Sequence, residues 1–175
     1  TNQMLGSRDW TRFVLDQSMK EKPGLNFGYC NGAAHVISAI IQKTSGKTCA
    51  ELAVEELQPL GIKDIYWSSS PENVTSGYSG IYMYPKFGYL YLKNGAWNGQ
   101  QLIPKKWVEE STQMQTKAEW NSTFPGYGYM WWINRFGGYA ALGYGGQYIF
   151  VVPKLELVAV FTGGLYDVND LFYPG

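Results

Sequence analysis

The chain has 175 residues, of which 45% are hydrophobic and 17% aromatic, and its 14 basic and 14 acidic residues cancel. This length and composition suffice for a buried core and argue against disorder. Neither charge forms a run, so the electrostatic footprint of a nucleic-acid-binding protein is absent from the sequence. No apolar run is long enough to span a bilayer, and the spacing of Cys30 and Cys49 predicts neither a disulfide framework nor a metal site.

Residues 1–61 are predicted to be mainly helical. Residues 7–18 and 47–57 carry apolar side chains at helical spacing. The strongest prediction is a helix over residues 31–46, with Asn31 as its N-cap and Gly46 as its stop. Its apolar residues follow the helical period, so we expect one face to lie in a core: Ala33, Val36, Ile37, Ile40 and Ile41.

Residues 62–80 are rich in Ser, Pro, Asn and Gly and predict an exposed connection. Residues 81–175 predict helices plus a sheet, with a helix over 104–111 and a compact apolar segment over 85–92. Short β-branched and aromatic runs separated by turn signals predict strands at 126–133, 138–143, 147–152 and 156–161. Parallel neighbours would need longer connections, so the predicted fold class is α+β, with an antiparallel sheet and flanking helices.

Two motifs carry chemical interest. FGYCN at residues 27–31 places Tyr29 and Asn31 at the mouth of the predicted helix, and LGYGGQYIFVVP at residues 142–153 precedes a hairpin. With the sequence around them, from about residue 9 to residue 164, they resemble serine hydrolases related to class C β-lactamases, DD-peptidases and esterases of β-lactamase fold. The resemblance implies a single, partial β-lactamase/transpeptidase-like domain over residues 1–175, with the second motif on a strand.

The resemblance also implies acyl transfer on a small-molecule amide or ester, with no metal or cofactor. Tyr29 would transfer a proton, and Asn31 would hold a catalytic lysine and contact the substrate carbonyl. The segment Tyr144-Gly145-Gly146 would line the edge of the cleft, with bare glycine backbone facing the substrate. The backbone N–H of Gln147 would be one donor to the oxyanion.

The sequence departs from that family at the nucleophile, since no serine is followed by a lysine three positions later. The resemblance therefore implies a C-terminal portion whose Ser-x-x-Lys segment would precede Thr1, and which is inactive alone. Tyr144 stands where the family has a cation, which favours an esterase or peptidase over a true β-lactamase. Around residues 82–87 the chain is a few residues shorter than the family pattern, which is either a real deletion or the loss of a loop. A partial domain would expose apolar surface, so we expect self-association or a missing N-terminal chain.

Other interpretations remain open at this point. The chain could be a non-catalytic binding protein that recognises a peptidoglycan or glycan-like ligand through aromatic residues. Asn31 could be only a helix cap, and His35, which has no evident acidic partner in the sequence, is expected to be packed or solvent-facing. Cys30 is expected to be a buried thiol. The family occurs both exported and intracellular, so the compartment stays unassigned, with a slight preference for the bacterial periplasm or exterior.

Overall fold

The computed structural model describes residues 2–62, 65–77, 85–164 and 166. The chain divides into two compact units, residues 1–82 and residues 83–175, and each is described by itself. The chain was predicted to be shortened around residues 82–87. Of these, residues 82–84 lie outside the described residues.

The first unit is helical, as the sequence predicts. Asp9 begins the second helix by accepting a hydrogen bond from the backbone N–H of Arg12 at 2.7 Å. Thr48 and Glu51 form a reciprocal capping box at the start of the fourth helix. The helices are α1 (Asn2–Leu5), α2 (Trp10–Leu15), α3 (Asn31–Ser45) and α4 (Cys49–Leu57), followed by a 3₁₀ turn at Gln58–Leu60.

Helix α3 ends where the sequence predicts, because Gly46 takes a left-handed φ of 74° and its N–H closes the last turn on Gln42. The prediction of its buried face is wrong. Ile37 and Ile40 are 51% and 55% exposed, whereas the buried positions of α3 are Gly32, His35 and Ser38. The small and polar side chains face inward because neighbouring backbone approaches them closely and forms hydrogen bonds with them.

The described part of the predicted connection, residues 65–77, is not an exposed linker. Thr75 and Ser76 are fully buried. The Oγ of Ser38 donates to the carbonyl of Thr75 at 2.7 Å, and the indole N–H of Trp67 donates to the carbonyl of Ser76 at 2.7 Å. The prediction failed because polar residues that are paired with backbone can be buried at little cost, and composition does not reveal such pairing.

Over its described residues, the second unit combines two helices with an antiparallel sheet of six strands, each strand paired with its neighbours in the chain. A two-stranded hairpin lies between the helices. The elements are α5 (Pro85–Leu92), β1 (Ala96–Trp97), β2 (Gln100–Gln101), α6 (Lys105–Ser111), β3 (Thr116–Asn121), β4 (Phe124–Tyr127), β5 (Trp132–Ile133), β6 (Tyr139–Gly143), β7 (Gln147–Val152) and β8 (Leu157–Thr162), with a 3₁₀ turn at Pro153–Leu155.

This arrangement confirms the predicted fold class, while two details differ. The strand predicted over 126–133 is broken by a turn at residues 128–131, in which Met130 has a φ of 66°. Strand β3, with the sequence TKAEWN, was not predicted. Unlike the predicted strands, it does not carry a continuous run of β-branched and aromatic residues.

Helix α5 packs against β7 and β8, and Gly88 makes the approach possible. A Cβ atom at Gly88 would lie 2.7 Å from side-chain carbons of Ile149 and Val158. The aromatic ring of Trp131 lies at the centre of the core of this unit, 4.7 Å from the ring of Tyr91 between centroids. The buried members of that core are Tyr91, Val108, Trp131, Tyr139, Ile149 and Val151.

Candidate active site

The first motif lies at the beginning of α3, as the sequence predicts. Tyr29 precedes the helix and is 47% exposed, and Asn31 is the first helical residue. The N-cap is Cys30, with an extended backbone and no hydrogen bond from its side chain, so the capping role predicted for Asn31 is wrong. Cys30 is also exposed rather than buried. The inward position belongs to Gly32, and this leaves Cys30 on the solvent side.

Close backbone contacts fix the first turns of α3 within this unit. A Cβ atom at Gly32 would lie 2.8 Å from a methyl group of Val14 on α2. A Cβ atom at Gly77 would lie 2.3 Å from the backbone nitrogen of His35. Glycine at both positions allows the neighbouring segments to touch the helix backbone, which restrains the turn that carries Asn31.

A buried polar cluster joins α2, α3 and the segment after residue 65. His35 is fully buried, and its Nε2 lies 3.1 Å from Oε1 of Glu72. The same oxygen accepts hydrogen bonds from the backbone N–H groups of Trp10 and Thr11, each at 3.0 Å. Glu72 therefore ties the start of α2 to α3, one helical turn after Asn31.

The protonation of Glu72 reflects these contacts. Partial burial alone would raise the pKa of the Glu72 carboxyl. Hydrogen bonds from the backbone of Thr11, from its own backbone, from His35 and from Ser70 outweigh burial and lower the pKa to about 2. Glu72 is thus a carboxylate over the ordinary pH range.

This cluster corrects the expectation that His35 lacks an acidic partner, while the packed interpretation of His35 is confirmed. Glu72 is 37 residues from His35 in the chain. The Glu-Asn pair after Pro71 is typical of a turn and gives no sign of a partner in α3. Sequence reasoning could have found only that one buried histidine needs a polar neighbour.

The second motif runs through the end of β6, a turn and β7, so it lies largely on strands, as the resemblance implies, while its glycines lie in the turn. Tyr144, Gly145 and Gly146 connect β6 to β7, and both glycines have positive φ, 78° and 87°. Gln147 is the first residue of β7 and pairs with Gly143 on one side and Thr162 on the other. The glycines are needed because residues with side chains rarely adopt this left-handed backbone.

Residues after β8 cover the backbone of this turn. The position that a Cβ atom of Gly145 would take lies 2.3 Å from the ring of Tyr166. The hydroxyl of Tyr144 donates to the carbonyl of Tyr166 at 2.5 Å, and the N–H of Gly163 donates to the carbonyl of Gly146 at 3.0 Å. The bare face of Gly145, expected to meet a substrate, is therefore occupied by the chain itself. Sequence reasoning missed Tyr166, for which no local signal exists.

The backbone N–H of Gln147 has a defined direction. In a trans peptide the carbonyl and the N–H point to opposite sides. The carbonyl of Gly146 points to Gly163, beyond the end of β8, so the N–H of Gln147 points to the β6 side. The Gln147 side-chain amide donates to the carbonyl of Gly163, which holds the start of β7 against the end of β8.

The predicted site residues thus form two groups. Tyr29 and Asn31 are neighbours in the first unit, whereas the turn at residues 144–146 and Gln147 are neighbours in the second. Across the described residues, no three His, Cys, Asp or Glu side chains are grouped so that they could hold a metal ion. None of the helices in the described ranges is long and apolar enough to cross a membrane.

The chain matches the family model described as Beta-lactamase over residues 1–163. An uncharacterised protein of Alkalihalophilus pseudofirmus is 22% identical over 173 residues, covering 78% of this chain and 52% of that protein.

Solved structures resemble the chain over most of its length. A 6-aminohexanoate-dimer hydrolase candidate from Bacillus anthracis has a TM-score of 0.74 and 25% identity, covering 87% of this chain and 42% of its own. A β-lactamase candidate from Bacteroides dorei has a TM-score of 0.71 and 16% identity, covering 93% of this chain and 57% of its own. The chain therefore spans about half the length of the relatives it matches.

Proposed function

This chain belongs to the beta-lactamase family, and we propose that it forms part of a serine hydrolase that cleaves an amide or ester bond through an acyl-enzyme. The observation that carries the proposal is the family match, which includes the Tyr-x-Asn motif at the start of α3. Acyl transfer needs a nucleophile, a group that accepts its proton and donors for the oxyanion. The nucleophile belongs, in this proposal, to a segment outside these residues.

In this proposal Tyr29 transfers the proton, and Asn31 orients the lysine and the substrate carbonyl. The exposure of the Tyr29 side chain and the close contacts around the first turn of α3 support these roles. The Gln147 N–H, at the junction of the turn and β7, would be one donor to the oxyanion, as the resemblance implies. The segment Tyr144-Gly145-Gly146 would present the ring of Tyr144, which is 61% exposed, to the substrate, while the Tyr144 hydroxyl donates to the carbonyl of Tyr166.

A phenol in place of a cation favours a substrate without an essential carboxylate, such as a neutral ester or amide. The similarity to a 6-aminohexanoate-dimer hydrolase candidate is compatible with an amide. The alternative is a binding protein that keeps the fold without the reaction. The stacked rings of Trp107 and Tyr129, 5.5 Å apart between centroids and both close to half exposed, favour that alternative as a surface for a glycan-like ligand.

The experiment that separates the two is labelling of the native protein with a fluorophosphonate, followed by its intact mass. A protein heavier than the 19.7 kDa chain that gains one adduct supports the hydrolase. A mass of 19.7 kDa without an adduct, together with binding of peptidoglycan fragments, supports the binding protein.

Within an active parent protein, Tyr29→Phe is expected to lower the acylation rate by about a hundredfold, because it removes the proton-transferring hydroxyl and leaves the ring. Tyr66→Phe is the matched control, since Tyr66 is 74% exposed in the same unit and has no proposed role. Burst kinetics with a chromogenic ester measure the rate. An unchanged rate in Tyr29→Phe would remove Tyr29 from the mechanism.

The chain alone is expected to associate with itself or with a missing N-terminal chain. Ile37 and Ile40 form an exposed apolar stripe on α3, which gives this expectation a structural basis. Light scattering of the purified chain should give a mass above 19.7 kDa. Replacing both isoleucines by lysine should reduce that mass, and a monomer at high concentration before substitution would contradict the expectation.

A further inference from the structure

Three Asn-Gly dipeptides occur in the chain, at residues 31–32, 94–95 and 98–99. Asparagine followed by glycine is chemically prone to cyclisation, because glycine has no side chain to hinder attack of its backbone nitrogen on the asparagine side-chain carbonyl carbon. The three dipeptides share this local chemistry. Any difference in their reactivity has to come from the structure around each of them.

The dipeptide Asn98-Gly99 is the two-residue loop of the β1–β2 hairpin. Trp97 pairs with Gln100 on either side of it, and Asn98 and Gly99 have φ values of 48° and 81°. Both residues are exposed, and the space where Gly99 would carry a Cβ atom is open, with nothing within 4 Å. Water and base therefore reach the loop, and within the described residues its main restraint is the Trp97–Gln100 pair that closes it.

The dipeptide Asn94-Gly95 has similar φ values but a closed environment. Gly95 is buried, its N–H donates to the carbonyl of Leu90 at 2.8 Å, and its carbonyl accepts from the N–H of Leu102 at 2.9 Å. A Cβ atom at Gly95 would lie only 2.0 Å from the carbonyl oxygen of Ile103. The nitrogen that would have to attack is thus held in a hydrogen bond.

The dipeptide Asn31-Gly32 is protected in another way. Both residues belong to the first turn of α3, and Gly32 is buried against Val14 of α2. A helical backbone holds the asparagine side chain and the next nitrogen in a fixed relation, and cyclisation would require this packed turn to open. The asparagine with a proposed catalytic role is therefore shielded.

From these environments we propose that Asn98 is a site of spontaneous deamidation in the folded protein. The backbone nitrogen of Gly99 loses its proton to solvent base and forms a bond to the side-chain carbonyl carbon of Asn98. The side-chain amide leaves as ammonia, which gives a five-membered succinimide. Water then hydrolyses the bond between the succinimide nitrogen and either carbonyl carbon, which yields aspartate or isoaspartate. The net reaction consumes one water and releases one ammonia.

The modification changes both charge and backbone. A chain with a formal net charge of +0 gains one negative charge. Isoaspartate adds a main-chain carbon to the two-residue loop, which no longer fits the Trp97–Gln100 register. Trp97 packs edge-on against Tyr89, with ring centroids 5.9 Å apart, so the disturbance reaches α5.

The test is incubation of the purified chain in mildly alkaline buffer, followed by proteolysis and electron-transfer fragmentation, which separates the two nearby positions and distinguishes isoaspartate from aspartate. In the folded chain, conversion at Asn98 should exceed conversion at Asn94 and at Asn31 by at least about tenfold. In denaturant, the three positions should convert at comparable rates. Asn98→Gln should abolish the acidic variant seen by isoelectric focusing.

Two results would overturn the proposal. One is an Asn98 that stays intact in the folded chain over a time in which it converts in denaturant. The other is conversion of Asn94 or Asn31 in the folded chain as fast as that of Asn98. Neither outcome depends on whether the protein is a hydrolase, so the serine-probe experiment and this one fail independently.

Discussion

Replacing Glu72 by alanine is expected to destabilise the first unit by about 1–3 kcal/mol, the cost of leaving buried polar groups without their hydrogen-bond partner. The substitution leaves His35 buried without its partner and removes the acceptor of the Trp10 and Thr11 N–H groups. Hydrogen exchange measured by mass spectrometry over residues 10–15 and 31–45 reports the effect on both helices. Glu72→Gln keeps an acceptor oxygen, so it should retain part of the protection against hydrogen exchange that Glu72→Ala loses.

The matched control is Glu55→Ala in the same unit. Glu55 pairs with Lys47 at 2.7 Å, but both side chains are about half exposed, and solvent screening makes such surface pairs contribute little to stability. If Glu55→Ala and Glu72→Ala lose equal protection, the buried cluster has no special role in the stability of this unit.

The Glu72 carboxyl also makes stability depend on pH. Its pKa is about 2 in the folded chain against an ordinary value of 4.5, so the folded state favours the carboxylate. The stabilisation is present above pH 4.5 and is lost as the pH falls from 4.5 towards 2. Urea unfolding of the wild-type chain and of Glu72→Gln across that window should show a difference in midpoint that narrows as the pH falls. A constant difference would contradict the assignment.

Replacing Trp131 by alanine is expected to cost about 3–5 kcal/mol in the second unit, because it leaves a cavity in an aromatic core. The Trp131 ring is 3% exposed and lies 4.7 Å from Tyr91, 5.0 Å from Tyr139 and 6.1 Å from Phe87 between centroids. The midpoint of urea unfolding, followed by near-ultraviolet circular dichroism, measures the loss.

Trp107→Ala is the control for this substitution. Trp107 is 46% exposed and stacks on Tyr129, and such an aromatic pair contributes about 1 kcal/mol. A Trp131→Ala midpoint that is shifted no further than that of Trp107→Ala would show that the aromatic cluster does not dominate the core.

The sequence predicted elements whose signals are local. The end of α3 depends on glycine geometry at Gly46, and the hairpin of β7 and β8 depends on two short β-branched and aromatic runs, and both signals can be recognised along the chain. The segment 85–92 was recognised only as apolar. It is eight residues long and partly aromatic, and such a short segment fits a strand as well as a helix. The inward face of α3 was missed because contacts at Gly32 and His35 are made by residues far away in the chain.

The positions of site residues could be predicted where the motif coincides with the start of a helix. They could not be predicted where the contact is made by a residue far away in the chain. The position of Tyr29 and Asn31 at the start of α3 follows from a short stretch of sequence. The partner of His35 and the ring that covers Gly145 come from residues Glu72 and Tyr166, whose types are common on surfaces. Only the fold shows that they meet the motifs.

The order of strands β3 to β8 along the sheet is the same as their order along the chain. Each pairing therefore closes a short loop, and the entropy lost in bringing two strands together is small at every step. Sheets in which distant segments must meet fold slowly, whereas successive hairpins can form in sequence. The large sheet of the second unit can consequently assemble by repeated addition of one hairpin, starting from the long β7–β8 pair and proceeding towards β3.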